Sequence, residues 1–203
     1  MSAQSESALE IRVKMMRTAS ELFHKQGVKV TTPEEVVKAS GSTMNQFYHY
    51  FHNKEGLILQ VIRTEFEEVK SGRAPLVCDF SSWQSVEKWF VTYIELQKSF
   101  GMSTTCLFGK VGNELAERDS VIREELSAIF EFMKSKIVDF LKKEKTEGRL
   151  VKSADEDSLA DFCIATIQGG MLLGKIKKDS QPVDATVREA LAHLRTYVVG
   201  PRH

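Results

Sequence analysis

Apolar residues recur every three to four positions along most of the chain, which is the spacing of one face of an α-helix. The first such run carries Val13, Met16, Ala19 and Phe23, and Gly27 follows where a helix would end. Later runs of the same kind, separated by capping residues and breakers, predict about nine helices and no strand. We therefore expect an all-α protein.

The second and third predicted helices are short, and each begins with a capping box. Thr32-Pro33-Glu34-Glu35 opens the second helix and Thr43-Met44-Asn45-Gln46 opens the third, with Gly41 in the turn between them. Two short helices joined by a tight glycine-bearing turn predict a helix-turn-helix. Asn53 is expected to cap a longer fourth helix, and Ser153-Ala154-Asp155-Glu156 to cap the eighth.

The helical pattern lapses over residues 71–82, where Gly72 and Pro75 interrupt it. We expect a helix-turn-helix domain over residues 1–53, a connecting helix and linker over 54–82, and an effector-sensing and dimerisation domain over 83–203. The last two helices, roughly 155–177 and 184–199, carry small and aliphatic residues that permit close helix approach. They predict a dimer surface formed by Phe162, Ile167, Gly170, Leu173, Val187, Leu191 and Leu194.

The protein has no net charge that would attract DNA or a membrane to the molecule as a whole. The chain has 203 residues, with 28 Lys and Arg against 28 Asp and Glu, so any attraction to a polyanion must come from a local patch. We expect no secretory signal and no membrane span, because the longest apolar run, Ile164–Gly174, is interrupted by Thr166 and Gln168. Three widely spaced cysteines fit a reducing cytoplasm, and no cofactor or metal motif accompanies them.

A local patch of this kind is present between Val36 and Lys54, where the chain has no Asp or Glu. The first residues of a recognition helix lie near base edges, where Asn or Gln bonds adenine and Met or Thr contacts the thymine methyl. Phe47 and Phe51, four residues apart, are predicted to pack against the first helix. For Gln46 the alternative interpretation is that it serves only the cap. The predicted DNA contacts are Thr32, Thr43, Met44, Asn45, Gln46, Tyr48, His49 and Lys54.

The run FYHYFHNKEGL, behind TTPEEVVKASG, resembles the TetR family of bacterial transcriptional repressors over residues 8–70. The resemblance implies a homodimer on palindromic DNA, with a C-terminal domain that binds an inducer. Met44, Asn45 and Gln46 depart from the basic residue, glycine and threonine that are usual there, so the operator sequence does not follow. TTCLFGKVGNELAERDSVIREEL and GGMLLGKIKKD resemble the branch of the family that includes the repressor of N-ethylmaleimide reductase, a sensor of reactive electrophiles.

Cys106 is a candidate sensor thiol. It follows Ser103-Thr104-Thr105 and is predicted to lie in the first turn of the sixth helix, where unpaired N–H groups lower the pKa of a thiol. Lys110, one turn further on, and Lys175 are its candidate partners. A thiolate there would react with electrophiles or be oxidised reversibly, whereas the alternative is a small buried packing residue.

The second candidate for sensing is a hydrophobic ligand in a pocket lined by aromatic side chains, for which ordinary core packing is the alternative. The aromatic residues concerned are Trp89, Phe90, Tyr93, Phe108 and Phe130. A helical enzyme or ligand carrier is the competing class of protein. Against an enzyme, we find no carboxylate pair in an apolar setting, no phosphate loop and no metal-binding motif; Glu114 and Glu117 fall in a charged stretch.

Overall fold

The computed structural model describes residues 3–73 and 78–200, so the predicted breaker Pro75 lies outside the described residues. The described part of the chain is helical almost throughout, which confirms the all-α prediction. Its nine helices are α1 (Ala3–Gln26), α2 (Pro33–Ser40), α3 (Met44–Phe51), α4 (Lys54–Lys70), α5 (Trp83–Ser99), α6 (Leu107–Leu115), α7 (Ser120–Thr146), α8 (Glu156–Lys177) and α9 (Gln181–Arg195).

Two local details differ from the sequence predictions. The segment after α7 pairs with the segment after α9 in one isolated antiparallel bridge, Leu150 with Val198, where no extended pairing was predicted. The cap of α8 is Asp155, whose side chain accepts from the Ser158 N–H at 3.2 Å, and not Ser153. A carboxylate two residues later in the chain is nearer the first turn of the helix than the Ser153 hydroxyl.

The chain divides into two compact units. The first, called here the head unit, takes in the chain up to Glu67 together with Leu107–Leu126. Apolar faces of α1, α3 and α4 form its core, and the side chains of Phe47 and Phe51 are fully buried there. This burial confirms the predicted packing role of these two aromatic residues.

The second unit, called here the effector unit, takes in Glu68–Cys106 and the chain from Ser127 onward. Its α8 and α9 pack closely because Gly170 has no side chain: a Cβ there would lie 2.5 Å from Thr186 Oγ1 and 3.3 Å from Val183 Cα. In α5, Gln97 is fully buried and donates from Nε2 to the carbonyl of Met171 in α8 at 2.6 Å. These contacts join α5 and α9 to α8.

α8 is also long and apolar enough, by length and composition alone, to cross a membrane, although no membrane span was predicted from the sequence. Core helices of soluble proteins meet the same criterion, and a single such helix is weak evidence for a membrane protein. Here α8 packs along α9 and buries Leu159, Cys163, Ile167 and Met171.

Candidate nucleic-acid interface and effector unit

Helix α3 is fixed at its first turn by the predicted capping box. The Thr43 hydroxyl accepts from the Gln46 N–H at 3.3 Å, and Gln46 Oε1 accepts from the Thr43 N–H at 2.9 Å. The α2 helix begins with the equivalent pair, Thr32 and Glu35. Both helices of the helix-turn-helix therefore start at residues that the side chains themselves determine.

The other end of α3 is fixed by a tight turn that the sequence did not predict. His52 has φ 65° and ψ −42°, and the Asn53 N–H donates to the Phe51 carbonyl at 2.8 Å across it. This is a γ-turn with a positive φ at its centre, which is a strained conformation for a residue other than glycine. Asn53 Oδ1 then accepts from the Gly56 N–H at 2.7 Å, as predicted for the cap of α4.

Gly56 allows this junction to close. A Cβ on Gly56 would lie only 2.1 Å from the Phe51 carbonyl oxygen. Gly56 was not among the residues predicted from the sequence, although a glycine in the first turn of a capped helix is itself a signal of close backbone approach.

Between these two ends, α3 turns its polar residues outward and its aromatic core residues inward. Asn45, Tyr48 and His49 are exposed, with Tyr48 at 52%. Thr43 is exposed as well, whereas Met44 and Gln46 are only half-buried. Gln46 Oε1 already accepts a hydrogen bond in the cap. Gln46 can therefore offer its side-chain N–H groups to another molecule.

Lys54 is the first residue of α4, as predicted, and its ammonium group already has a protein partner. Lys54 Nζ donates to the Lys29 carbonyl at 2.8 Å. An ammonium group has three donors, so this bond leaves others for a phosphate. Thr32, also a predicted DNA contact, is exposed at the start of α2.

Cys106 lies immediately before α6 and not in its first turn, because the helix begins at Leu107. Its side chain is 5% exposed. The ammonium group of Lys110, a predicted partner of this thiol, donates to the carbonyl of His24 at 2.9 Å. Lys175, the other predicted partner, is half-buried in α8.

Burial disfavours the thiolate form of Cys163 and Cys78. Burial raises the pKa of the Cys163 thiol to about 12 and that of the Cys78 thiol to about 11. For Cys78 the neighbouring Trp89 and Lys136 lower the pKa to a smaller extent, and the nearby Cys106 raises it. Cys163 is fully buried in α8.

The predicted aromatic pocket is mostly core. Trp89 and Tyr93, with Met133, Ile164, Ile167 and Gln168, line only a packing gap that is too small to hold a water molecule. Phe90 is fully buried and does not line it, and neither do Phe108 and Phe130. The indole Nε1 of Trp89 is buried; no acceptor among the described residues meets ordinary hydrogen-bond geometry, and the Cys78 sulfur is near enough for the indole N–H to lower the pKa of that thiol.

The predicted dimer residues differ in their burial within the protomer. Ile167, Val187 and Leu194 are buried inside the protomer, as is Gly170, so packing within the protomer already covers most of their surface. Phe162 and Leu173 are exposed and line an apolar groove of about 640 Å³ between α8 and α9. Exposed Leu172 and Ile176 add to the apolar surface of α8, and Leu191 is half-buried.

A capped helix-turn-helix with an acid-free exposed face, joined to a separate helical unit, defines the class of helix-turn-helix transcription regulators. Comparison with protein families identifies the family within this class. The family described as bacterial regulatory proteins, tetR family, matches residues 16–61, and the tetracyclin repressor-like C-terminal domain matches residues 84–190. The chain therefore belongs to the TetR family, whose members are transcription regulators and not enzymes.

Known relatives agree over nearly the whole length. The HTH-type transcriptional repressor DhaR of Mycobacterium sp. (strain GP1) is 26% identical over 176 residues, which cover 86% of this chain and 87% of DhaR. A TetR regulator from Chloroflexus aurantiacus superposes with a TM-score of 0.81 at 18% identity, covering 95% of this chain and 98% of the regulator.

Reduced Escherichia coli NemR superposes with a TM-score of 0.73 at 19% identity, covering 95% of this chain and all of the NemR chain. At that identity NemR supports the fold and no particular branch of the family.

Proposed function

We propose that this protein is a cytoplasmic, homodimeric repressor that binds a palindromic DNA operator through α3 and is released by a chemical signal. The observation that carries the proposal is the outward face of α3, which is free of acidic residues and is fixed at both ends. A helix that is already ordered loses little conformational entropy when it enters the major groove. Folding therefore orders the side chains of α3 before the protein meets DNA, and binding does not carry that entropy cost.

We assign base contacts to the first turn of α3 and phosphate contacts to its flanks. Asn45 is suited to a bidentate contact with adenine, and the methyl groups of Thr43 and Met44 to the thymine methyl. The Gln46 amide N–H groups would donate to a base acceptor. Phosphate oxygens would be bound by Thr32, Tyr48, His49 and Lys54.

The apolar groove between α8 and α9 supports the homodimer. A second copy of this chain would cover Phe162, Leu172, Leu173 and Ile176, which are otherwise large apolar side chains in contact with water. A two-fold dimer would carry its recognition helices about 34–36 Å apart, one turn of DNA, on a palindrome. A signal that favours another spacing then lowers DNA affinity by its preference for that state.

For the signal, we propose modification of Cys106 by an electrophile or oxidant. The position of Cys106 supports this choice, because the chain leaves the effector unit at Cys106 and enters α6 of the head unit at Leu107. Adding a group to this buried thiol requires its surroundings to move, since the side chain has little free space. Lys110 and Lys175 remain the candidate cations for such a thiolate.

A non-covalent hydrophobic inducer is the second candidate, and the buried N–H of Trp89 favours it. A ligand that opened a pocket beside Trp89 and Tyr93 would gain an apolar environment and could accept a hydrogen bond from that N–H. A ligand of this kind would release DNA from a Cys106→Ser protein as well as from the wild type.

The test begins by selecting an operator from random DNA with the wild-type protein. Tyr48→Ala and Lys54→Ala are expected to weaken binding to it in a salt-dependent band shift. N-ethylmaleimide or mild peroxide is then expected to release the wild type but not Cys106→Ser, with mass spectrometry reporting which thiol is modified. A folded dimer that selects no DNA at low salt would refute the repressor, and normal release of Cys106→Ser would refute the thiol signal alone.

A further inference from the structure

The turn between α1 and α2, Gly27–Thr31, is held by side chains from two later helices. The Lys29 N–H donates to Glu114 Oε2 of α6 at 2.6 Å, and the Lys29 carbonyl accepts from Lys54 Nζ of α4 at 2.8 Å. These partners are 85 and 25 positions away in the chain, so tertiary contacts fix the turn. Lys29 thus connects α6 to α4, the helix that follows α3.

Helix α6 holds the same end of α1 at a second point. Lys110 is buried, and its ammonium group donates to the His24 carbonyl at 2.9 Å in the last turn of α1. Because Lys110 and Glu114 are four residues apart, they lie on one face of α6. The cation meets the carbonyl end of α1, where positive charge is favourable, and the carboxylate meets an amide just beyond it.

Gly27 leaves room for the carboxylate of Glu114. Its φ of 104° belongs to a region that favours glycine, and a Cβ there would lie 3.0 Å from Glu114 Oε1. The turn thus has both the backbone conformation and the space that the contact with Glu114 needs.

We propose that Glu114, together with Lys110, is a positioning residue for DNA binding. It fixes the α1–α2 turn to α6, and the turn leads within three residues to the Thr32 cap of the helix-turn-helix. This inference rests on the proposed DNA-binding function. Since the chain enters α6 directly from the effector unit after Cys106, a change in that unit has a covalent route to the turn.

The sign of the effect separates positioning from direct electrostatics. A carboxylate repels phosphate, so removing Glu114 would raise DNA affinity if its charge acted on DNA directly. If Glu114 instead holds the turn, its removal lowers DNA affinity, because the ordering must then be achieved during binding. The slope of log Kd against log salt would stay unchanged, since no phosphate contact is lost.

The experiment compares Glu114→Met, which removes the acceptor, with Glu114→Gln, which keeps an acceptor oxygen. Glu117→Met is the matched control, because Glu117 is an exposed neighbour and its loss changes the charge equally. Binding to the selected operator is measured by fluorescence anisotropy over a salt series. We expect Kd to rise about tenfold or more for Glu114→Met, to stay within about threefold for Glu114→Gln, and not to rise for Glu117→Met.

Hydrogen exchange supplies a second readout, in which residues 27–31 exchange faster in Glu114→Met than in Glu117→Met. An unchanged Kd for a folded Glu114→Met, or equal losses in Glu114→Met and Glu114→Gln, would overturn the proposal. If Glu114→Met does not fold, Lys110→Met is tested in its place. A tenfold rise in Kd with an unchanged salt slope would support positioning, and an unchanged Kd would overturn it. Failure of the wild type to select DNA would instead refute the proposed function itself.

Discussion

Gly56→Ala is expected to disrupt the junction between α3 and α4 without removing any proposed DNA contact. A Cβ on Gly56 would lie 2.1 Å from the Phe51 carbonyl oxygen and 3.2 Å from Asn53 Oδ1. The nearer obstacle is backbone, and it is held in place by the Asn53 N–H at 2.8 Å. Rotation of a side chain therefore cannot relieve the clash, and one of the two helices must shift.

The size of the effect follows from two opposing contributions. Alanine in place of glycine inside a helix stabilises by up to about 1 kcal/mol. Overpacking costs about 1–3 kcal/mol, and the backbone obstacle places Gly56 at the upper end of that range. The net loss in the free energy of unfolding is about 2 kcal/mol, which for a chain of this length lowers Tm by about 4–8 °C.

The assay is thermal unfolding followed by circular dichroism, together with anisotropy on the selected operator. Gly112→Ala in α6 is the matched control, because a Cβ there meets its nearest neighbour, Leu126 Cδ1, at an ordinary 3.6 Å. The control is expected to gain up to about 1 kcal/mol. The reasoning would be refuted if Gly56→Ala were as stable as Gly112→Ala and bound the operator with unchanged affinity.

Three further predictions concern charge and thiol chemistry. A hydrogen bond from Arg149, with a second from Trp83 Nε1 at 2.8 Å, holds the pKa of the buried Glu144 carboxyl below its ordinary value of 4.5. Because the unfolded chain takes up this proton first as pH falls, the contribution is full above about pH 4.5 and is lost as pH drops through the folded-state pKa. Urea unfolding at about pH 7 and pH 4 is expected to show a smaller difference for Glu144→Gln than for the wild type. Lys54→Met is expected to reduce the slope of log Kd against log salt by about 0.9, the value for one phosphate, and an unchanged slope would exclude that contact. Cys163 is expected to resist thiol reagents until the protein unfolds, so peptide mass spectrometry that found it labelled in the folded protein would contradict its burial.

Features of the fold that depend on neighbouring residues could be predicted from the sequence. The Thr43–Gln46 capping box and the Asn53 cap need only residues that lie three apart, so their spacing was sufficient evidence. The burial of Phe47 and Phe51 followed from helical periodicity. The γ-turn at His52 carried no such signal, because the surrounding packing imposes it against the local preference of a histidine.

Long-range contacts could not be predicted in the same way. Periodicity correctly marked Ile167 and Val187 as apolar positions on facing helices, but it does not say whether α9 of the same chain or a partner covers them. The contact of Glu114 with the Lys29 N–H joins residues 85 positions apart, and Glu114 lies in a stretch whose charge indicates simple exposure. Only the tertiary structure distinguishes this carboxylate from its exposed neighbour Glu117.

Lys29 connects the two proposals through a reciprocal relation. Its carbonyl is bound by Lys54, a proposed phosphate contact, and its N–H by Glu114 of α6. If Glu114 raises DNA affinity by a given factor, linkage requires that DNA stabilise the Glu114–Lys29 contact by the same factor. Operator DNA is therefore expected to slow hydrogen exchange of the Lys29 amide in the wild type. The same measurement in Glu114→Met should show little slowing, and equal slowing in both proteins would mean that DNA orders the turn without the help of α6.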